Sequence, residues 1–132
     1  MSEKLIFVVE DDSTILKIMV ATLNRMDCLV FPFNAGQQAL LALDDQRPDA
    51  VICDYNLPDM CGVDVLAAVA KRDPTVFRIL STAGADAGCI AEAMDCGSAH
   101  VVLEKPFSRK SLARMIRAIE LREEGIRIKY EP

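Results

Sequence analysis

The sequence predicts an α/β domain in which five parallel strands form one sheet with helices on both faces. Five short apolar runs alternate along the chain with five amphipathic stretches. The runs are rich in Val, Ile and Phe and apolar at successive positions, which is typical of strands covered by helices on both sides. Alternating strands and helices form parallel sheets through right-handed crossovers. The 132 residues fit one such domain with one core.

Each strand and helix is predicted from its own pattern, in chain order. The five apolar runs, each of four or five residues, are 5–9, 28–31, 50–53, 76–80 and 99–103. The helices are indicated by side chains that recur every three or four positions. These stripes are Ile15, Ile18, Met19, Thr22 and Leu23; Ala39, Leu40 and Leu43, after Gly36; Val65, Leu66 and Val69; Ile90, Ala93 and Met94; and Leu112, Met115, Ile116 and Ile119. Asp12-Ser13 is expected to cap the first helix, and the last helix is expected over about residues 108–124.

Five strands in a chain of this size favour the flavodoxin-like strand order 2-1-3-4-5. In such doubly wound sheets, ligands bind beyond the carboxyl ends of the strands, where the strand order reverses. The residues that directly follow each predicted strand are therefore the candidates for a functional site.

Acidic, hydroxyl and ammonium groups follow the predicted strands at this edge. Glu10 and Asp11 follow the first strand, Asp54 the third, Thr82 the fourth and Lys105 the fifth. Clustered carboxylates repel one another unless protons or a cation neutralise them, and an incomplete set of oxygen ligands suits Mg²⁺. Beside a bound metal, Asp54 becomes a nucleophile toward phosphorus. Lys105 and Thr82 would then contact the phosphoryl oxygens.

Composition excludes several other classes of protein. The net charge of −5 argues against binding to a nucleic-acid backbone as the main activity. The five cysteines include no C-x-x-C pair and the chain has one histidine, so a Cys/His zinc site is not expected. The apolar run 5–9 is too short to span a bilayer and lacks the features of a signal peptide. We therefore expect a cytoplasmic protein that binds neither membranes nor, directly, nucleic acid.

Four stretches carry a resemblance to a known family. They are Phe7-Val-Val-Glu-Asp-Asp12, Asp54-Tyr-Asn-Leu-Pro-Asp-Met-Cys-Gly62, Leu80-Ser-Thr-Ala83 and Glu104-Lys-Pro-Phe107. In their order and spacing they resemble the receiver domain of two-component response regulators, of the chemotaxis-receiver type. The resemblance covers about residues 4–124.

The resemblance implies that Asp54 accepts a phosphoryl group from the phosphohistidine of a histidine kinase or a histidine phosphotransfer protein. Asp11 matches a direct Mg²⁺ ligand of the family, together with Asp54 and the backbone carbonyl of Asn56, and Mn²⁺ is an alternative metal. Glu10 matches an acid that acts through metal-bound water. The family switches a signalling surface instead of turning over a separate substrate, so the resemblance implies that the chain is not an enzyme.

The resemblance also implies how the signal leaves the site. Thr82 matches the family's switch hydroxyl, Ala83 a small residue that leaves the phosphoryl group accessible, and Lys105 the phosphate-contacting lysine. The surface near strands 4 and 5 and the last helix is expected to change on phosphorylation. A homodimer through helix 4, strand 5 and helix 5 is a further expectation. Many receivers have an aromatic residue where Val102 stands, so His100 and Phe107 are weighed as its replacement, beside a weaker switch.

Three other functions were compared with this interpretation. A phosphatase of the haloacid-dehalogenase type needs a second Asp where Asn56 stands and places its nucleophile after the first strand. An FMN-binding protein would hold the FMN phosphate after the first strand, and the acids at that place would repel this phosphate. An interaction module that works without phosphorylation would not need the complete set of acids, Thr and Lys. We expect one receiver domain over residues 1–124 and a tail, or the start of a linker, over residues 125–132.

Overall fold

The fold is described from a computed structural model, which describes residues 3–84 and 87–123. Its five parallel strands have the order β2-β1-β3-β4-β5, which confirms the predicted sheet. The elements in chain order are β1 (Lys4–Val9), α1 (Ser13–Asn24), β2 (Cys28–Phe33), α2 (Gly36–Ala42), β3 (Ala50–Asp54), α3 (Gly62–Arg72), β4 (Phe77–Thr82), α4 (Ala87–Asp95), β5 (Val101–Glu104) and α5 (Arg109–Glu123).

The strands bury both of their faces because helices cover the sheet on both sides. One core contains Ile6, Val8 and Ile52 from the strands and packs against α1 and α5. The second core contains the alternate positions, among them Phe7 and Val51, and packs against α2, α3 and α4. Successive side chains of a strand point to opposite faces, so the near-continuous apolar runs follow directly from this double coverage.

Several local expectations are corrected by the structure. Val76 and Ala99 were predicted inside strands 4 and 5, but both are buried just before β4 and β5 begin. Leu29 is 48% exposed, because β2 is the edge strand and its outer face is only partly covered. Ile18 was predicted on the buried stripe of α1 and is 61% exposed. It lines a groove of about 480 Å³ between α1 and the segment that leads into α5.

Side chains cap the amino ends of α1 and α5. The Asp12 carboxylate accepts hydrogen bonds from the backbone N–H groups of Thr14 and Ile15, both at 3.0 Å, which confirms it as the cap of α1. Ser108 caps α5 in the same way through the N–H of Ser111. The end of the predicted last helix at Glu124, and the tail at 125–132, lie outside the described residues.

At the amino edge of the sheet, the buried Arg78 of β4 joins two loops. Its guanidinium donates hydrogen bonds to the carbonyls of Pro74 and Val76 before β4, both at 3.1 Å. It also donates to the carbonyls of Gly97 and Ser98 after α4, at 2.9 and 3.0 Å. Burial lowers the pKa of Arg78, with a smaller contribution from Arg122. One side chain therefore fixes the loop before β4 to the end of α4.

Candidate functional site

Two buried carboxylates and one lysine meet at the carboxyl edge of the sheet. Glu10 directly follows β1 and Asp54 is the last residue of β3, and they are 1% and 6% exposed. By strand alternation, both continue the positions that face α1 and α5. The Lys105 ammonium donates a hydrogen bond to Glu10 Oε1 and lies 3.1 Å from Asp54 Oδ1. The central strands thus bring together residues far apart in sequence.

Asp11 completes a group of three acids at this edge. One carboxylate oxygen from each of Glu10, Asp11 and Asp54 lies within 4.8 Å of the others. Asp11 is exposed, whereas its two neighbours are buried, so the group is open to solvent on one side. Hard oxygen donors with room for water are the coordination that Mg²⁺ prefers. The side chains present therefore fit a magnesium site, and Mn²⁺ accepts the same donors.

The Glu10 carboxylate is held at both of its oxygens. Oε1 accepts the hydrogen bond from Lys105, and Oε2 accepts one from the backbone N–H of Asp12 at 3.1 Å. Burial raises the pKa of Glu10, and the charge of Asp54 raises it further, against the opposing effect of both hydrogen bonds. The Glu10 carboxylate is thus buried and held in place by hydrogen bonds at both oxygens. This suits an acid that contacts a metal through an intervening water and does not move to bind it directly.

Lys105 is charged in this setting in spite of its burial. Burial by itself would lower the pKa of Lys105, but its hydrogen bonds to Glu10 and Asp54 outweigh that effect and raise the pKa above its usual value. The peptide bond between Lys105 and Pro106 is cis. The site therefore contains a permanent positive charge next to Asp54.

Thr82 ends β4 beside these groups. It is 1% exposed and pairs with Glu104 across the β4–β5 ladder. Its backbone carbonyl accepts a hydrogen bond from the N–H of Lys105 at 2.8 Å, so the two residues share one edge of the sheet. The following Ala83 is exposed, and a small side chain there leaves the edge open.

The loop after Asp54 is a short hairpin. The carbonyl of Tyr55 accepts a hydrogen bond from Gly62 N–H at 2.8 Å, and Asn56 forms an antiparallel bridge with Cys61. The constraint at Gly62 is the close approach of another part of the backbone. A Cβ atom on Gly62 would lie 2.1 Å from the carbonyl oxygen of Asp54. The hairpin is therefore packed directly against the backbone of Asp54.

Asp59, at the tip of this hairpin, is a site residue that the sequence interpretation missed. Its carboxylate accepts hydrogen bonds from the backbone N–H groups of Gly36 and Gln37, both at 2.8 Å. These bonds lower the pKa of Asp59. They also cap α2, whose own N-cap residue, Ala35, makes no side-chain bond. No local sequence signal reveals a cap that comes from a loop more than 20 positions away.

His100 does not take the place of the missing aromatic residue. It lies at the amino edge, where its ring stacks on Phe77 with centroids 5.2 Å apart. Its Nδ1 accepts a hydrogen bond from Arg78 N–H at 3.0 Å. Thr82 is at the opposite edge, paired with Glu104. Val102 is half-buried in the second core, so the position where many receivers have an aromatic residue holds an aliphatic one.

The thiol of Cys53, next to Asp54, has a packing role. Burial raises the pKa of Cys53 well above its usual value, and Asp54 adds to the effect. The Cys53 thiol donates a hydrogen bond to the carbonyl of Asp54 at 3.5 Å. A protonated, buried thiol does not serve as a metal ligand or nucleophile.

The geometry also bears on the alternative functions. Asp54 lies at the end of the third strand and not after the first. The residue two positions later is Asn56 and not an aspartate. Both observations disagree with a haloacid-dehalogenase-type phosphatase.

No helix in the described ranges has the length and apolar content needed to cross a membrane.

Comparison with known proteins gives consistent matches. The family model for the response regulator receiver domain matches residues 6–117. The chain is 33% identical over 115 residues to the DNA-binding transcriptional regulator NtrC of Proteus hauseri, covering 86% of this chain and 24% of that protein. It is 32% identical over 113 residues to the DNA-binding response regulator MtrA of Mycolicibacterium paratuberculosis, covering 86% and 49%. The chain thus spans half or less of these curated relatives.

A solved structure has the same architecture over nearly its whole length. The signal receiver domain of an HD domain-containing protein from Pseudomonas fluorescens Pf-5 superposes with a TM-score of 0.87 at 27% identity. The match covers 93% of this chain and 98% of that one.

Proposed function

This chain belongs to the response regulator receiver domain family, and from that premise we propose that Asp54 accepts a phosphoryl group in a Mg²⁺-dependent reaction. The donor is the phosphohistidine of a histidine kinase or of a histidine phosphotransfer protein. The observation that carries the proposal is the placement of the Asp54 carboxylate 3.1 Å from the Lys105 ammonium, within a group of three acids. Carboxylates that share one site disfavour one another's charged form, and a bound cation would offset that repulsion.

The proposed reaction is one displacement at phosphorus. A carboxylate oxygen of Asp54 forms the new O–P bond while the P–N bond of the phosphohistidine breaks. The electron pair of that bond returns to the imidazole nitrogen, which takes up a proton from solvent. The products are an acyl phosphate on Asp54 and a free histidine on the donor. The phosphoryl group stays on this chain and no separate substrate is turned over, so we propose a signalling domain and not an enzyme.

The residues around Asp54 stabilise the transferred group. Lys105 is already within hydrogen-bonding distance of Asp54 Oδ1, so its charge meets the phosphoryl oxygens without a large movement. Thr82, in the neighbouring strand, is the hydroxyl that we assign to the phosphorylated state. Its inward rotation would couple the chemistry to β4, β5 and α4.

Asp11, Asp54 and the backbone carbonyl of Asn56 would hold the metal directly, and Glu10 would act through water. A bound Mg²⁺ would offset the repulsion between the carboxylates and the phosphoryl oxygens. The four residues belong to the end of β1 and to the segment that begins at the end of β3, and the pairing of these two strands supports the assignment.

The signal is proposed to leave the domain through a change of its surface. Phosphorylation is expected to change the surface formed by α4, β5 and α5, and a homodimer through that surface stays a prediction. Curated relatives are named DNA-binding regulators, and we assign no nucleic-acid contact to this domain. The cytoplasmic location expected from the sequence also stays a prediction.

The first prediction is that Asp54→Asn abolishes phosphoryl uptake, because an amide cannot form the acyl phosphate. The protein is incubated with Mg²⁺ and acetyl phosphate, and its intact mass is measured before and after mild base. We expect one base-labile phosphoryl group on the natural chain and none on the variant. Asp64→Asn is the matched control, since Asp64 is an exposed acid in the first turn of α3.

A labile phosphoryl group that persists in Asp54→Asn would contradict this assignment. Continuous release of inorganic phosphate by the natural chain, without a stable adduct, would support a phosphatase instead. Absence of any adduct on the natural chain would favour the interaction module that works without phosphorylation.

A further inference from the structure

The contact between Asp59 and α2 joins the hairpin after Asp54 to a second element. Both carboxylate oxygens are used, one by Gly36 N–H and one by Gln37 N–H, at 2.8 Å each. Met60 packs at the same place, since a Cβ atom on Gly36 would lie 2.6 Å from Met60 Cγ. The hairpin tip is thus attached to α2 by two charge-assisted hydrogen bonds and a close side-chain contact.

The other end of the hairpin carries the predicted metal ligand. Asn56 is paired with Cys61, and Tyr55 is hydrogen-bonded to Gly62, so backbone contacts join the two strands of the hairpin. The direction of the Asn56 carbonyl is therefore determined by the base of the hairpin and by its tip. The base is held by Asp54 and Gly62, and Asp59 attaches the tip to the rest of the protein.

We propose that Asp59 is a positioning residue for the metal site: its bonds to Gly36 and Gln37 hold the hairpin so that the Asn56 carbonyl faces the bound cation. This inference rests on the proposed function, because it assigns a role around the Mg²⁺ site proposed above. Asp59 does not touch the cation or the phosphoryl group and acts only through the hairpin.

The physical argument concerns the order of the ligand before the cation arrives. Mg²⁺ requires nearly octahedral geometry, so a carbonyl on a loosely held loop must be ordered at the moment of binding. That ordering costs backbone conformational entropy. In the natural chain Asp59 already orders the hairpin, so this conformational entropy is lost when the chain folds and not when the cation binds. Loss of the tether transfers this cost to metal binding.

The test is a Mg²⁺ titration of the full chain, followed by backbone amide shifts. For Asp59→Ala we expect the Mg²⁺ Kd to rise about tenfold, the lower end of what partners of metal ligands contribute. Asp59→Asn keeps one acceptor oxygen and is expected to show a smaller rise, of about threefold. The amides of Gly36 and Gln37 are expected to shift with Mg²⁺ in the natural chain and to stop responding in Asp59→Ala.

Two control variants separate this role from a loss of stability and from a loss of charge. Asp73→Ala removes another loop carboxylate that accepts a backbone bond, from Thr75 at 3.0 Å, at the opposite edge of the sheet. It is expected to lower stability and leave the Mg²⁺ Kd unchanged. Glu104→Gln removes an exposed charge at the carboxyl edge without touching the hairpin. Its effect on the Kd is expected to disappear in high salt, whereas the effect of Asp59→Ala is expected to remain.

The outcomes are distinct. An unchanged Kd in Asp59→Ala, with a lowered urea midpoint, would overturn the inference and leave the proposed function intact. If Asp59→Ala does not fold, an unchanged Kd in Asp59→Asn would overturn it equally. If the natural chain shows no Mg²⁺-dependent shifts at Asp11, Asp54 and Asn56, the proposed function and this inference are both wrong.

Discussion

Lys105 is the residue on which the resting state of the site depends. Among the described residues, it is the cation paired with both Glu10 and Asp54. Its side chain is 12% exposed and those of the two acids are 2% and 9% exposed. Buried carboxylates without a cation are costly. Lys105 therefore has two roles that compete for one ammonium group: it stabilises the fold and it would contact the phosphoryl group.

We predict that Lys105→Met destabilises the chain by about 3 kcal/mol in the absence of divalent cations, since removal of one partner leaves buried charges uncompensated. The loss is expected to be smaller in saturating Mg²⁺, because the cation then neutralises the same carboxylates. Urea unfolding with EDTA and with Mg²⁺ measures both values. Lys17→Met, on the exposed surface of α1, is the control. An equal loss in the two buffers would mean that lysine and metal do not share these charges.

The acids and Lys105 were predictable from sequence because each lies at the carboxyl end of a strand or within two residues after it. The order of parallel strands brings their carboxyl ends to one edge, so adjacency in space follows from topology alone. Asp59 and Arg78 were not predictable in this way. Their partners are backbone groups of other loops and of a helix end, and backbone groups carry no residue-specific signal. The sequence left the role of His100 open, because its position is close to β5 and the sequence does not show that its ring lies at the amino edge.

The hairpin between β3 and α3 is the element most constrained by steric contact. Gly62 begins α3 and lies against the carbonyl of Asp54, where a Cβ atom would come within 2.1 Å. The obstructing atom belongs to the backbone and cannot rotate away. Any side chain at this position must therefore displace either the start of α3 or the end of β3.

We predict that Gly62→Ala destabilises the chain by about 2 kcal/mol or more, as overpacking against backbone does. Because the displaced atoms belong to Asp54, the Mg²⁺ affinity is expected to fall as well. Urea unfolding and a Mg²⁺ titration measure the two effects. Gly88→Ala is the matched control, because Gly88 is an exposed residue within α4 and alanine there favours the helix. A stable Gly62→Ala variant would contradict the steric argument.

Element boundaries show where pattern reasoning succeeds and where it fails. The apolar runs correctly located all five strands, because each strand of a doubly covered sheet is buried on both faces. Val76 and Ala99 were misplaced because a buried residue just before a strand looks like part of that strand. Ile18 was misplaced because the stripe of α1 is wider than the surface that the sheet covers, and the remainder lines the groove beside Phe107.

At the scale of the whole molecule, the two edges of the sheet hold different titratable groups. The carboxyl edge holds the acids and Lys105. At the amino edge, His100 lies between Phe77 and two arginines, and Arg122 is placed over the Phe77 ring at 5.2 Å. Burial, together with the smaller effect of the charges of Arg78 and Arg122, lowers the pKa of His100 to about 4. His100 is therefore neutral in the folded protein at neutral pH.

This shift predicts a pH dependence of global stability. Between pH 6.5, the ordinary pKa of histidine, and about pH 4, the unfolded chain binds a proton at His100 and the folded chain does not. Stability is therefore expected to fall as the pH is lowered through this window. We expect a contribution of about 2 kcal/mol, reduced from the full shift because the ring is partly exposed.

The measurement compares the natural chain with His100→Phe, which keeps a ring against Phe77 but cannot titrate. Urea unfolding free energies are determined at several pH values from 7 to 4. The variant is expected to be less stable at pH 7, since Arg78 N–H loses its acceptor, and to lose less stability on acidification. Parallel profiles for the two proteins would show that His100 does not carry this dependence.

The clamp formed by Arg78 determines how α4 can respond to events at the opposite edge of the sheet. Its bonds to Gly97 and Ser98 fix the chain directly after α4. The displacement of α4 that preserves these bonds is a rotation about its C-terminal end, with Arg78 as the fulcrum. A nine-residue helix is about 13 Å long, so a tilt of about 10° would move its first turn by about 2 Å. A small rotation of Thr82 would in this way be converted by a lever arm into a larger change at the surface.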